Sequence, residues 1–525
     1  MGNKGFRNLP KLERLKRGRL SPPPPKARGA APSAPPPRVQ PPHQTTIALS
    51  SFPPASRPVL DALVNLLGES GEGFLVGGAL RDLLLPREPI DELDVTLPSG
   101  ALAVARALAD RLGGAFVLLD EARGAARVAF GPGGGLRQVD LTDFRAASLE
   151  QDLRGRDFTV NAIAASLRSL VRNGQAPLID PTHGQSDLAR RHLRLPGPGA
   201  LEEDPARALR GVRLALLLRF TLTPRVRTAM RRVAPRLSTV APERIRDELA
   251  GLLALPHAGR GLRELDRLGL LEAFLPEAAP MKAATQPRPH RFTVWEHSLR
   301  TVEAVDALLL NLSALEPYTA LLGAHLLEPI GDGLTRREIV KLAALLHDVA
   351  KPQTRTVREG RVRFIGHDVT GASVARAIGE RLRLSRRAVQ VLERLVQHHL
   401  RPMHLGQLSA VSRRARYRFF RDLEREAQDL LILTLADAAA VRGVPPVDVW
   451  RGPGGRLVAD LLGGWKEDQE RAGAPPLLRG EEVMAAFGLA PGPEVGRLLA
   501  LVREAQALGT VSSREDALDY LRRSR

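Results

Sequence analysis

The segment Asp91-Glu92-Leu93-Asp94-Val95-Thr96-Leu97 alternates polar and aliphatic side chains. On a β-strand, successive side chains point to opposite faces, so Glu92, Asp94 and Thr96 share one face while Leu93, Val95 and Leu97 enter a core. Upstream, Leu75-Val76-Gly77-Gly78-Ala79-Leu80-Arg81-Asp82 reads as a strand running through two glycines into a helix. Gly77 and Gly78 let the backbone approach a triphosphate, a helix N-terminus offers free N–H groups, and Arg81 adds a permanent cation. Two carboxylates beside such a turn suit a pair of Mg²⁺ ions about 3.5–4 Å apart, which activate a 3′-hydroxyl and stabilise a leaving pyrophosphate. Asp140, opposite in phase to Val139 and Leu141, is a candidate third carboxylate. Taken alone, the acidic segment reads more readily as a solvated strand edge, and the glycine pair as a plain turn.

A second set of residues is rich in histidine. Trp295-Glu296-His297 opens a helix, and Leu342-Ala343-Ala344-Leu345-Leu346-His347-Asp348 ends an apolar one. Burying such a doublet among leucines is costly unless a metal or polar partners satisfy it. His367, His398-His399 and Asp437 follow, and His290 precedes. The chain has no cysteine, so any metal here takes His and carboxylate ligands, and no disulfide framework exists. Lys351, one turn after His347, is placed to meet a phosphate or simply to end the helix in solvent.

The elements that must carry these residues follow from the wider pattern. At 525 residues, the chain has room for about three or four domains. Its net charge of +19 suggests a polyanionic partner such as nucleic acid, although only eight of the 77 basic residues are lysine, which equally fits coding bias. The first 45 residues hold ten Lys or Arg against Glu13 alone, with eleven prolines, and cannot bury a core. They lack the apolar stretch of a signal peptide, and no later run is long enough for a transmembrane helix, so a cytoplasmic location without membrane is expected. Strands are predicted at Phe74–Val76, Leu93–Leu97, Phe116–Leu119, Arg127–Phe130 and Gln138–Leu141, with amphipathic helices after Phe158. Strands first and helices later argue an α+β fold: a small mixed-sheet head, then helical domains.

In combination the motifs are more specific. Gly77-Gly78-x-x-Arg81-Asp82, the Glu92-x-Asp94 pair, Arg156-Asp157-Phe158-Thr159-Val160-Asn161-Ala162, Asp180-Pro181 with Gly184-Gln185-Ser186-Asp187-Leu188, and Glu203-Asp204-Pro205-Ala206-Arg207-Ala208-Leu209-Arg210 occur in order. Together they resemble the bacterial class II tRNA nucleotidyltransferase and poly(A) polymerase family. The resemblance implies a nucleotidyltransferase head, a helical neck, and template-independent choice of CTP or ATP for the 3′ end of tRNA. It implies metal ligation by Glu92 and Asp94, ribose and triphosphate contacts at Arg156 and Asp157 with Asn161 as a lesser candidate, and base recognition by Asp204 and Arg207. On a helix, positions 204 and 207 are i and i+3 neighbours, so an acceptor and a forked donor present one pairing edge; the same spacing suits a structural salt bridge. Arg210 and Arg213 continue that stripe toward phosphate.

Two positions depart from the family pattern: Glu92 stands where the first Asp of Asp-x-Asp is usual, and His183 where a glycine is usual. The order His297, His347-Asp348, Asp437 resembles the HD phosphohydrolase domain that some members carry. That implies a divalent cation (Mg²⁺, Mn²⁺ or Ni²⁺) held by His297, His347, Asp348 and Asp437, with His367 and His398 lining the site or holding a second ion, and hydrolysis of a phosphomonoester or 2′,3′-cyclic phosphate. The segment Leu478–Pro493 with Val495–Leu508 resembles the family's closing helices, or is a plain helical cap. The expected division is a basic tail (1–50), head (51–170), neck (171–282), HD domain (283–445) and C-terminal helices (446–525). A poly(A) polymerase, or an RNA-binding HD hydrolase with a decayed head, are the alternatives.

Overall fold

The computed structural model describes residues 45–85, 90–131, 135–408, 411–472 and 475–524; most of the proline-rich basic tail lies outside them. The head is one eight-stranded sheet of β1 (Thr46–Ala48), β2 (Phe74–Val76), β3 (Glu92–Leu97), β4 (Ala115–Asp120), β5 (Ala125–Ala129), β6 (Gln138–Asp143), β7 (Ala164–Ser166) and β8 (Gln175–Ile179). Their spatial order is β1-β8-β7-β2-β3-β6-β5-β4. Every pairing is antiparallel except β3 with β6. The parallel pair requires a crossover, and the chain between its strands supplies the helix Ala101–Leu112.

All five predicted strands form. Three more, β1, β7 and β8, were not foreseen, and two of these lie after Phe158, where helices were expected to fill much of the chain. β7 reads Ala-Ala-Ser and β8 contains Pro177, neither a strand signal. Pro177 is tolerated because β7 pairs only with Leu178 and Ile179, leaving no ladder hydrogen bond for the proline to lose on that side. Leu93, Val95 and Leu97 of β3 and Val139 and Leu141 of β6 pack with Leu60, Leu63, Ala105 and Leu108 from two helices, Arg57–Leu66 and Ala101–Leu112. Each fully buried aliphatic side chain contributes about 1.5–3 kcal/mol, which sets the strand register and turns Glu92 and Asp94 to the other face.

Past the sheet the chain is helical. One continuous core runs from Phe158 to Trp465 and a separate small one from Leu478 to Leu521. Within the larger core, the helix Arg336–Leu346 is buried almost throughout and starts with a capping box between Thr335 and Glu338. Arg336, fully buried, donates to Glu328 (2.8 Å) and to Asp429 (2.5 Å) on the helix Glu426–Arg442. His325 closes the same network against Asp429 at 2.9 Å. This ionic knot fixes the two helices that end in His347-Asp348 and carry Asp437.

Candidate active sites in the head and the helical body

In the head, β3 and β6 align Asp94 with Asp140 and Glu92 with Gln138. Asp94 accepts the Gly78 N–H at 3.3 Å. Gly77 has φ +76°, and a Cβ there would run into the Asp94 carboxylate, so both its backbone freedom and its missing side chain are needed. Asp94 has its pKa raised by burial, with Asp140 adding to the shift and Arg156 opposing it. Glu92 is raised by burial and by Asp91 and Asp94. Carboxylates that raise one another in this way form an electron-rich donor set of hard oxygens that fits a divalent cation of the Mg²⁺ type. Asp140 stands beside Asp94, but Arg127 donates to both of its oxygens at 2.8 Å, so it is held as an ion pair. Glu92 remains half exposed, 3.8 Å from Arg137, whose closer partner is Asp91 at 2.6 Å.

Of the predicted nucleotide-contacting residues, Arg81, Asn161, Asp157, Arg210 and Arg213 form one polar chain. Arg81 grips Asp82 (2.9 and 2.7 Å) and donates to the Asn161 carbonyl at 2.8 Å. The Asn161 amide donates to Asp157 at 3.1 Å, and Arg210 lies 3.6 Å from Asp157. Arg210 and Arg213 both end on Glu248, at 2.8 and 2.7 Å. Burial works against the Arg210 charge, but Asp157 and Glu248 raise its pKa and keep it cationic. Arg156 donates to the buried Asp152, at 3.2 and 3.3 Å. Glu248 was not singled out from the sequence; it is one of three acidic residues on the helix Pro242–Ala254, and nothing local sets it apart from Glu243 and Asp247.

Asp204 and Arg207 do not share a helix. The helix starts at Ala206, and Asp204 is extended (φ −144°, ψ 92°), because a residue before proline is driven out of the α region. Asp204 accepts the Ala206 N–H at 3.2 Å and Arg244 at 2.6 Å. Arg207 is buried; it donates to the carbonyl of Ala200 (3.0 Å) and, at 3.4 Å, to that of Arg156, with its Nε 3.7 Å from Asp204. His183 adopts the left-handed conformation (φ 61°) that a glycine would take, so the turn is kept despite the departure. Asp180 accepts the following Gly184 and Gln185 N–H groups at 2.7 and 2.9 Å.

The histidine site is denser. His297, on the helix Val294–Leu310, places Nε2 3.2 Å from His347 Nε2 and 3.0 Å from Asp437. Asp348 reaches His347 (3.3 Å) and His367 (3.4 Å). His367 and His399 place their Nε2 atoms 3.3 Å apart. Among the described residues, two trios bring their ligand atoms within 4.8 Å of one another: His297, His347 and Asp437, and then Asp348, His367 and His399. The four predicted ligands are therefore together, and His367 joins them. His399, and not His398, completes the set, because successive residues at a helix end point about 100° apart.

Nδ1 of His347, His367 and His399 lies 2.9, 2.6 and 2.7 Å from the carbonyls of Ala344, Phe364 and Val396. That leaves each Nε2 lone pair aimed inward, the arrangement of metal-ligating histidines. Two such lone pairs, those of His367 and His399, lie 3.3 Å apart and repel unless a cation lies between them, so the donor set fits a divalent metal. Burial and His347 depress His399 to about 4, and burial with Lys351 depresses His290 to about 4, so both imidazoles are neutral at neutral pH. Asp348 is buried, yet His347 and Lys351 hold its pKa well below the usual carboxylate range. Lys351 does not project freely: it meets Asp348 and Gln286, each at 2.7 Å.

Comparison with known proteins accounts for both sites. Family models described as "Poly A polymerase head domain", "Probable RNA and SrmB- binding site of polymerase A" and "HD domain" match residues 73–194, 219–282 and 294–441. An A-adding tRNA nucleotidyltransferase of Deinococcus radiodurans is 40% identical over 456 residues, covering 86% of this chain and 94% of the relative. The chain belongs to the tRNA nucleotidyltransferase family. A CC-adding tRNA nucleotidyltransferase of Thermus thermophilus is 37% identical, with 86% and 93% covered. Among solved structures, a CCA-adding enzyme with ATP shares the fold at a TM-score of 0.60 and 17% identity, over 92% of this chain and 99% of that one. The Thermotoga maritima CCA-adding enzyme complexed with tRNA shares it at 0.54 and 18%, over 92% and 99%. Nucleotidyltransferase heads and HD domains work with divalent cations. Among the described residues, no helix is long and apolar enough to cross a membrane.

Proposed function

We propose that the chain adds C, A or both to the 3′ end of tRNA from CTP and ATP, with Mg²⁺ in the head, and that its HD site is a metal-dependent phosphohydrolase. The reading rests above all on the polar chain that runs from the Asp82–Arg81 pair through Asn161, Asp157 and Arg210 to Glu248, joining the turn beside Asp94 to the helix behind Asp204. In the reaction, the oxygen of the tRNA 3′-hydroxyl forms a bond to the α-phosphorus, the bond to pyrophosphate breaks, and the hydroxyl proton passes to solvent. Glu92 and Asp94 hold the cations, with Asp140 an adjacent charge restrained by Arg127. Bound cations stabilise charge on the attacking and leaving oxygens. Gly77 and Gly78 offer backbone to the triphosphate, Arg81, Arg156 and Asp157 orient it and the ribose, and Arg210 and Arg213 supply cationic charge behind it. Asp204 accepts from an exocyclic amine, which cytosine and adenine carry and uracil lacks, while Arg207 donates to the neighbouring ring nitrogen.

In the HD site, His297, His347, Asp348 and Asp437 hold a divalent cation, Mg²⁺, Mn²⁺ or Ni²⁺, and His367 and His399 offer places for a second. A cytoplasmic location fits this role, and the division into tail, head, neck, HD domain and C-terminal helices at residues 50, 170, 282 and 445 is part of the same proposal. The test supplies tRNA ending at each of its last three positions with one labelled nucleotide at a time. Addition limited to C, or to A after a preformed CC, supports the reading and names its specificity. A long A ladder would make the chain a poly(A) polymerase, and no incorporation with tRNA still bound would overturn the transferase reading.

A further inference from the structure

The strands Thr356–Arg358 and Arg361–Arg363 form a two-stranded hairpin that the chemistry described so far does not use. It turns through Glu359 and Gly360, both at positive φ (52° and 72°), the two-residue turn that matches strand twist. Pairing sets Thr356 opposite Arg363, Val357 opposite Val362, and Arg358 opposite Arg361. Since paired residues share a face, Arg358, Arg361 and Arg363 line one side and the two valines the other. All three arginines are exposed. Among the described residues, no acid forms an ion pair with any of them, whereas most arginines elsewhere on the helical body are tied to a carboxylate. Like-charge crowding of this kind destabilises a hairpin unless an anion relieves it.

The hairpin is rooted in the HD site. Phe364, the residue after its second strand, lies with its ring 5.7 Å from Lys351 Nζ, and its carbonyl faces His367 Nδ1 at 2.6 Å. Lys351 in turn meets Asp348 at 2.7 Å. Beside the root, Ile365 and Val369 are exposed at 69% and 59%, so an apolar rim follows the second strand of the hairpin. Three unpaired forks on one face, two opposite each other across the hairpin and the third two residues along toward the HD site, offer several contacts to the repeating phosphates of a single strand. The apolar rim suits the sugar and base of its last nucleotides.

We infer that this hairpin docks the backbone of an RNA 3′ end, so that the HD site acts on a terminal 2′,3′-cyclic phosphate of RNA in preference to a free nucleotide. The inference rests on the phosphohydrolase reading above. In the step it serves, the oxygen of water forms a bond to phosphorus and one bond from phosphorus to a ribose oxygen breaks. One proton passes to the freed hydroxyl, and a phosphomonoester remains on the chain.

The experiment uses the full chain loaded with Mn²⁺ or Ni²⁺, and compares a tRNA ending in 2′,3′-cyclic phosphate with adenosine 2′,3′-cyclic phosphate. The partner protein is the R358Q/R361Q/R363Q variant, whose exposed substitutions leave the fold intact. Expected are a kcat/KM ratio of RNA to mononucleotide at least tenfold lower in the variant, carried by KM. The salt dependence of RNA affinity should also be shallower by about two units, as losing three single-strand phosphate contacts requires. An unchanged ratio and slope would overturn the hairpin's role. If the wild type hydrolyses neither substrate, the phosphohydrolase reading falls. The hairpin is then judged by fluorescence anisotropy with the same RNA, where equal affinity of the two proteins would overturn it and a tenfold loss would support RNA docking alone.

Discussion

Gly77 is a position where the head has little latitude. Its φ of +76° with ψ −141° is a region nearly reserved for glycine and costs a side-chain-bearing residue about 1–3 kcal/mol, and any Cβ collides with the Asp94 carboxylate. Gly77→Ala should therefore lower nucleotide addition by at least 100-fold, about 2.7 kcal/mol of transition-state stabilisation, while the far-ultraviolet circular dichroism stays native. Base choice belongs to the same scale. Asp204→Ala should reduce discrimination between CTP or ATP and UTP more than it reduces the rate of addition, a split read from kcat/KM for each nucleotide. The types of these residues were legible in the sequence, as were His297, His347, Asp348 and Asp437. Their partners were not. Arg127 on Asp140, Glu248 under Arg210 and Arg213, and Arg244 on Asp204 are long-range ion pairs that no local spacing announces. His398 and His399 are indistinguishable by sequence context, since only the rotation at the helix end selects His399.

At the scale of elements, the strands with alternating or β-branched patterns were legible and those made of Ala, Ser and Pro were not. β7 and β8 exist because the sheet offers them partners, a tertiary effect that overrides weak propensity. The displacement of Asp204 from its helix has a local cause in Pro205 that the sequence did contain. Among the helices, the buried group Arg336, Glu328, His325, Glu426 and Asp429 sets the register between the segment ending in His347-Asp348 and the one carrying Asp437. Arg336→Met takes the arginine from the buried Asp429, leaving it His325, and should destabilise the chain by about 3–5 kcal/mol, measured by denaturant unfolding. At temperatures where the variant remains folded, HD metal affinity should fall about tenfold or more by calorimetric titration, the size of loss typical of groups that orient ligands. Unchanged metal affinity in the folded variant would show that the knot serves stability alone.

For the whole molecule, the head has its own core around the sheet, and the histidine site lies in the continuous core of the helical body. The two chemistries should therefore separate. His347→Ala should abolish metal binding by the histidine site and any cyclic phosphate hydrolysis while nucleotide addition persists, both read on one preparation; parallel loss of both in a folded protein would mean coupled sites. The net charge of +19 takes on a more specific meaning at this scale. Much of the arginine content is spent on internal ion pairs, whereas Arg358, Arg361 and Arg363 of the hairpin have no carboxylate partner among the described residues. The central claim is that Asp94 and its glycine turn transfer nucleotides to tRNA. Its most direct test is incorporation of one labelled nucleotide at a time into tRNA stripped of its 3′ terminus, by the wild type and by Asp94→Asn. Addition of C or A by the wild type and a loss of at least 100-fold in the variant, with tRNA binding retained, are expected; equal incorporation by both proteins would refute the role of Asp94.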